Sequence, residues 1–266
     1  MTPVTVVHGN SPVVLGLPHT GTFVPDYIMA KLNDNGRKLA DTDWHIDRLY
    51  DGLLADVTTV TANFHRYAID ANRDPFGESL YPGQNTTTLV PLTDFNGADI
   101  WDEPPTTADI NARRTEFHAP YHVALEAELK RVHALHGCAI LYDCHSIRSL
   151  IPFLFEGTLP DFNIGTNEGR TCAFAIEEAT SLICESATDY ACVENGRFKG
   201  GWTTRHYGLP AQGFHAVQME LAQSTYLQDE TAPWTYDEIK AGKLRPHLEK
   251  ILKTLADLAP SLGDLQ

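Results

Sequence analysis

The chain has 266 residues, 42% of them hydrophobic and 21% charged, with aromatic residues spread along its length; this is ordinary globular composition and excludes a long disordered tail. A formal net charge of −15 excludes the basic surface that non-specific nucleic-acid binding needs, and makes any arginine gathered into a site more informative, because it is set against the global field. The five cysteines (Cys138, Cys144, Cys172, Cys184, Cys192) are odd in number and never spaced C-x-x-C, the first residues lack a basic region followed by an apolar core, and no apolar run approaches a membrane span; a reducing, cytoplasmic setting with no membrane partner is the expectation.

In chain order, short β-rich apolar runs alternate with longer helix-like stretches. Strands are predicted over 13–17, 57–63 and 67–69, with a helix over 43–54 between the first two. Residues 74–107 are rich in Pro, Gly, Thr and Asn and read as a long loop; loops of that length are often functional, and this one is a candidate lid. A helix over 108–135 follows, where Phe117, Tyr121, Leu125, Leu129 and Val132 recur at three- or four-residue steps and Gly137 is placed to end it. Beyond it come a strand over 139–142, a helix over 169–186, strands over 191–193 and 216–219, and a helix over 236–258. The pattern predicts a single α/β domain over 1–266, with a central mixed sheet flanked by helices.

Four of these strands run into residues of catalytic type: Pro18-His19-Thr20-Gly21, Asp70-Ala71-Asn72-Arg73, Asp143-Cys144-His145-Ser146, and Glu220. Ligands of open α/β sheets bind outside the carboxyl ends of the strands, so parallel neighbours would bring His19, Asn72, Arg73, His145 and Glu220 to one rim. Two histidines and a carboxylate suit a catalytic zinc site, with one position open for water. The pattern H-x-x-E is absent after His19, so the acidic ligand is sought in Asp41-Thr42-Asp43-Trp44-His45. Taken singly, each feature has an ordinary structural reading: a hydrogen-bonded histidine, an Asp41 or Asp43 that caps a helix, a strand-end charge at Glu220. Asp-Cys-His-Ser alone is also compatible with a nucleophilic Cys144 or Ser146.

The segments LPHTG (17–21), DTDWHIDRLYD (41–51), HRYAIDANRDP (65–75), YPGQNTTTLVP (81–91), YDCHSIRSLIPFLFEG (142–157), LPDFNIGTNEG (159–169), NGRFKGGWTTRHYG (195–208) and HAVQMELAQSTY (215–226) carry a resemblance over nearly the whole chain. With them the sequence resembles the N-formylglutamate deformylase (N-formylglutamate amidohydrolase) family, related to zinc carboxypeptidases and aspartoacylase-like deacylases. The resemblance implies a zinc-carboxypeptidase-like (phosphorylase/hydrolase-like) fold, one zinc ion per chain or another divalent metal in its place, and a role in histidine breakdown. It implies His19, Asp43 and His145 as metal ligands, with Asp41 and His45 as rivals to Asp43. It implies Asn72-Arg73 as the pair that binds a substrate carboxylate, and Glu220 as the catalytic base.

The implied substrate, N-formylglutamate, is a small anionic amino-acid derivative with two carboxylates and almost no apolar surface, so its affinity has to come from charge-assisted hydrogen bonds. Arg73 is the expected clamp for one carboxylate. Arg197, Lys199 and Arg205 are candidates for the other, since 195–206 holds three cations, two adjacent glycines and no acid; the ordinary reading of that segment is a basic surface hairpin. Arg148 is a further candidate, or a salt bridge supporting the rim. Competing expectations are a zinc deacylase of another N-acyl acidic amino acid, a carboxypeptidase-like amidase, and a metal-bearing binding protein.

Overall fold

Period-two alternation in the strands sorts this chain into two hydrophobic layers about one sheet. The computed structural model describes residues 1–78 and 85–263. The strands are β1 (Val4–Val7), β2 (Val13–Leu17), β3 (Thr58–Ala62), β4 (Ala139–Ile147), β5 (Phe162–Gly165), β6 (Cys192–Glu194) and β7 (Phe214–Ala222), in the spatial order β1-β3-β2-β4-β7-β5-β6. The centre, β3-β2-β4-β7, is parallel. β1 is antiparallel to β3, β5 is antiparallel to β7, and β6 runs parallel to β5. Parallel strands covered on both faces read as continuous burial, and every residue of β2 and β4 is buried.

The helices are α1 (Asp26–Met29), α2 (Ile46–Tyr50), α3 (Thr107–Arg113), α4 (Ala119–His136), α5 (Phe174–Ser186), α6 (Trp202–Tyr207) and α7 (Glu238–Gly263). Ile140, Tyr142, Cys144, Val217, Met219 and Leu221 pack with α2, α5 and α7 on one face. Ala139, Leu141 and Ala216 pack with Tyr121, Leu125, Leu129 and Val132 of α4 on the other. The same alternation gives Asp143 and His145 on β4, and Gln218 and Glu220 on β7, to the α4 face. β4 and β7 pair in register there, Asp143 opposite Gln218 and His145 opposite Glu220.

Several elements depart from the sequence expectation. The strand expected over 67–69 is a turn: His65 Nδ1 accepts from the Tyr67 N–H, and Ala68 N–H donates to the His65 carbonyl. Its apolar residues are buried without a ladder because the 89 carbonyl accepts from Asp70 N–H instead. The helix expected over 108–135 begins at a Thr106–Asp109 capping box, then widens into a π turn at Arg114–His118 before α4. Pro120 sits at the start of α4 and has no N–H to offer the preceding turn, which favours the wide turn there. Gly137 closes α4 in the left-handed conformation (φ 75°) that glycine adopts without strain. The basic segment 195–206 runs into α6, which spans Trp202–Tyr207, rather than forming a hairpin. No helix among the described residues is long and apolar enough to cross a membrane.

Candidate active site

The carboxyl ends of β2, β4 and β7 open onto one cavity, lined in part by His19, Asn72, Arg73, His145, Arg197 and Glu220. His19 stands two residues past β2, whereas His145 and Glu220 lie inside β4 and β7, which run further than their apolar cores suggest. Asp43 reaches the same point from the turn before α2. Its N–H donates to the His19 carbonyl, and His45 takes a left-handed conformation (φ 59°) to start that helix.

Ligand atoms of His19, Asp43 and His145 all lie within 4.8 Å of one another, and the three residues are buried. His19 donates its Nε2–H to Asp70 Oδ1 at 2.6 Å, so Nδ1 carries its lone pair. That lone pair faces His145 Nδ1 at 3.2 Å and Asp43 Oδ2 at 3.8 Å, and His145 Nδ1 is 3.4 Å from the same oxygen. Electron-rich atoms held this close in a buried site repel one another unless a cation lies among them, a proton or a metal ion. Two imidazole nitrogens and a carboxylate oxygen are also the donor set of a catalytic zinc site, and the Asp70–His19 contact is the outer carboxylate–histidine pair that orients such ligands. The chain's own residues therefore fit a divalent metal.

Electrostatics within the triad are uneven. Burial and the Arg66 guanidinium lower the pKa of His19, against the pull of Asp70. Burial acts to lower His145 too, but the carboxylates of Asp143 and Asp43 outweigh it and raise that imidazole well above its ordinary value. Asp43 stays below its ordinary value despite burial, because the Arg66 guanidinium pairs with its Oδ1 and the His145 and His19 imidazoles face its other oxygen; the Ser146 N–H also donates to Oδ2 at 2.9 Å. The rivals are committed elsewhere. Asp41 Oδ2 accepts from Tyr67 O–H (2.7 Å) and Phe95 N–H (2.9 Å), and His45 Nε2 bonds the Trp234 carbonyl at 2.9 Å.

Glu220 is 7% exposed, and burial pushes its carboxyl up to about 7, against the opposing pull of His145. A group so poised can both accept and return a proton near neutral pH. Asn72 is held by the Thr203 N–H, which donates to its Oδ1 at 2.9 Å, and its Nδ2 lies 3.2 Å from His145 Nε2. Arg73 donates to the Thr87 carbonyl (3.0 Å) and Thr87 Oγ1 (2.8 Å); Arg197 donates to the carbonyls of Leu154 and Asn85, each at 3.0 Å. Asn85, Thr86 and Thr87 of the long loop line the cavity; residues 79–84 of the candidate lid lie outside the described residues.

The other predicted cations are not among the described lining residues. Lys199 Nζ pairs with Glu168 at 2.9 Å, and Arg205 Nε donates to the Gly200 carbonyl at 2.8 Å. Arg148 donates to Asn96 Oδ1 at 3.1 Å and borders a neighbouring hollow with Lys38, Asp94 and Glu230. Cys144 points to the opposite face, into the core with Tyr142 and Met219, where burial raises its thiol well above the ordinary value. A thiolate nucleophile at Cys144 is therefore disfavoured on both position and charge.

Two residues of the site, Arg66 and Gln218, escape sequence reasoning, and Asp70 is read there only as part of a strand-end cluster, without a role. Arg66 is 6% exposed and brings a fixed guanidinium to the cavity wall beside Asp43. An arginine inside a mostly apolar segment of an acidic chain was the available signal for it. Asp70 contacts His19 and Gln218 contacts Glu220, pairings that no spacing reveals.

The family model described as N-formylglutamate amidohydrolase matches residues 11–227. Two N-formylglutamate deformylases, from Pseudomonas aeruginosa and Pseudomonas putida, are each 43% identical to this chain over 93% of its length and 93% of theirs. The crystal structure of an N-formylglutamate amidohydrolase from Ralstonia eutropha JMP134 superposes with a TM-score of 0.81 at 23% identity, covering 98% of this chain and 99% of that one. A gene product of Agrobacterium tumefaciens superposes at 0.73 with 18% identity, covering 97% and 96%. The two structures share the fold, and the sequence matches carry the relationship: this chain belongs to the N-formylglutamate amidohydrolase family.

Proposed function

We propose that the chain is a metal-dependent hydrolase, with zinc as the metal, that removes the formyl group from N-formyl-L-glutamate to give L-glutamate and formate, and that residues 1–266 act as one catalytic domain. The observation that carries the reading is the meeting of His19, Asp43 and His145 beside Glu220, which is paired in register with His145. Family membership supplies the substrate class.

His19, His145 and Asp43 would hold the metal, which when bound would supply Lewis-acid polarisation of the carbonyl and a more acidic water. Glu220 takes a proton from the attacking water as the C–O bond forms at the formyl carbon. It returns that proton to the amine nitrogen as the C–N bond breaks, and its raised pKa suits both transfers. Arg66 faces the negative charge that develops on the formyl oxygen. Asn72 and Arg73 hold one substrate carboxylate and Arg197 the other; the guanidiniums exchange their present carbonyl partners for charge-assisted bonds. Arg148, Lys199 and Arg205 are given no role in this assignment; among the described residues they bond Asn96, Glu168 and the Gly200 carbonyl.

The test measures metal content and N-formylglutamate hydrolysis on one preparation, before and after chelation and zinc add-back. About one zinc per chain is expected, with activity lost and regained alongside it. Glu220→Ala should keep the metal and lose roughly 100- to 10,000-fold in kcat, the span of general acid–base contributions. Activity indifferent to chelation refutes the metal assignment, and wild-type turnover in Glu220→Ala refutes the base.

A further inference from the structure

We propose that Gln218 is the positioning residue for the catalytic base: its side-chain amide bridges the backbone of Gly201 to the Glu220 carboxylate, and so ties the base to the loop that locks Asn72. The inference rests on the reading of Glu220 as the base.

Gln218 and Glu220 are two residues apart on β7, so they share a face, and Gln218 is 3% exposed at the wall of the same cavity. Its Oε1 accepts from the Gly201 N–H at 2.7 Å, and its Nε2 donates to Glu220 Oε2 at 3.1 Å. The amide has one workable orientation. Reversed, its NH2 would meet the Gly201 N–H and its oxygen would meet a carboxylate, two repulsive contacts in a buried place. Among the described residues, this amide is the one hydrogen-bond donor to the Glu220 carboxylate. One oxygen of the base is thus held, and Oε1 is left to exchange protons.

The far end of the bridge is equally constrained. A Cβ on Gly201 would fall 2.2 Å from Asn72 Nδ2 and 2.5 Å from its Oδ1, so the backbone there is pressed against the Asn72 side chain. Two residues on, the Thr203 N–H donates to that Asn72 oxygen. A hydrogen-bonded path therefore runs from the substrate clamp through the start of α6 to the base. Only a neutral side chain with both a donor and an acceptor completes it, which explains a glutamine between two apolar core residues, Val217 and Met219.

The test compares Gln218→Met, close in length but without polar atoms, with Gln218→Glu, which can still accept from Gly201 but cannot donate to Glu220 when ionised. Each is made in the wild type and in Glu220→Ala, and kcat, KM and zinc per chain are measured. The expected result is a fall in kcat of about 10- to 100-fold in both single variants, the consequence of losing a bond to a charged group. KM should stay within about threefold, with zinc content unchanged and no further loss when Gln218→Met is added to Glu220→Ala. Wild-type kcat in Gln218→Met beside an inactive Glu220→Ala overturns the proposal. So does an equal fractional loss in both backgrounds, which would mark a merely structural residue. Should Gln218→Met not fold, Gln218→Glu is read by the same criteria. Wild-type turnover in Glu220→Ala instead removes the base reading itself, a failure visible before any Gln218 variant is considered.

Discussion

Replacing Asp70 with Asn tests the proposed metal centre through a residue that is not assigned to substrate binding. Asp70 is fully buried, and its Oδ1 accepts from both His19 Nε2–H (2.6 Å) and the Asn72 N–H (2.8 Å). Its Oδ2 lies 3.7 Å from Arg73 Nη1. Because two donors converge on Oδ1, the amide oxygen of the asparagine must occupy that position, and the amide nitrogen then faces the Arg73 guanidinium. The fold and the His19 tautomer survive, while the charge that makes Nδ1 a stronger base is lost. Outer-shell partners of this kind are worth about 10- to 100-fold in metal affinity, or roughly 1.4–2.8 kcal/mol. A competition titration against a fluorescent zinc chelator reads this directly, without reference to turnover. An affinity within twofold of wild type would refute the claim that Asp70 tunes the ligand, and with it the reading of His19 Nδ1 as the metal-facing atom.

Gly201→Ala should displace Asn72 through the 2.2 Å clash and raise KM for N-formylglutamate on the order of tenfold, about one lost hydrogen bond to a charged ligand. Gly242→Ala in α7, where an added Cβ meets nothing within 4 Å, should leave KM alone and raise stability by about 0.5–1 kcal/mol, as urea unfolding would show. His122 donates Nε2–H to the Ala71 carbonyl at 2.8 Å, and burial depresses its pKa from 6.5 to about 3. The unfolded chain therefore binds the extra proton first, and stability contributed by neutral His122 is present above pH 6.5 and lost as pH falls toward 3. Between pH 7 and pH 5 the loss is about 2 kcal/mol. In His122→Gln the pH 7 to pH 5 difference in unfolding free energy should shrink by that amount, and an unchanged slope would count against a buried neutral imidazole.

Much of this arrangement was legible in the sequence because the central strands are parallel and buried on both faces. Continuous apolar runs marked 13–17 and 139–142, a run broken only by Gln218 marked 216–219, and the polar residues just past these runs are the ones that meet at the rim. What stayed hidden follows from the same physics. β1 is an edge strand with alternate residues exposed, and β5 is a four-residue strand carrying Asn163, so neither has an apolar run long enough to stand out. Tyr67-Ala68-Ile69 has such a run but is buried as a turn. Asp43 was one of several carboxylate or imidazole choices in its segment. The structure groups Asp43 with His19 and His145, while Asp41 bonds Tyr67 and Phe95 and His45 bonds the Trp234 carbonyl.

The segment Asp143-Cys144-His145-Ser146 shows how far a single geometric rule carries the chemistry. As a string it serves a thiol nucleophile and a metal ligand equally well. Once it is a buried strand, successive residues face opposite sides of the sheet. His145 then joins Asp143 on the α4 side, in register with Glu220, while Cys144 enters the core opposite. One strand slipped by a single residue would exchange those roles, placing a histidine among leucines and a cysteine beside Glu220. The register of β4 against β7 therefore shapes the candidate site: it sets His145, the proposed ligand, beside Glu220, the proposed base, and the nine residue pairs that fix it extend the full length of both strands.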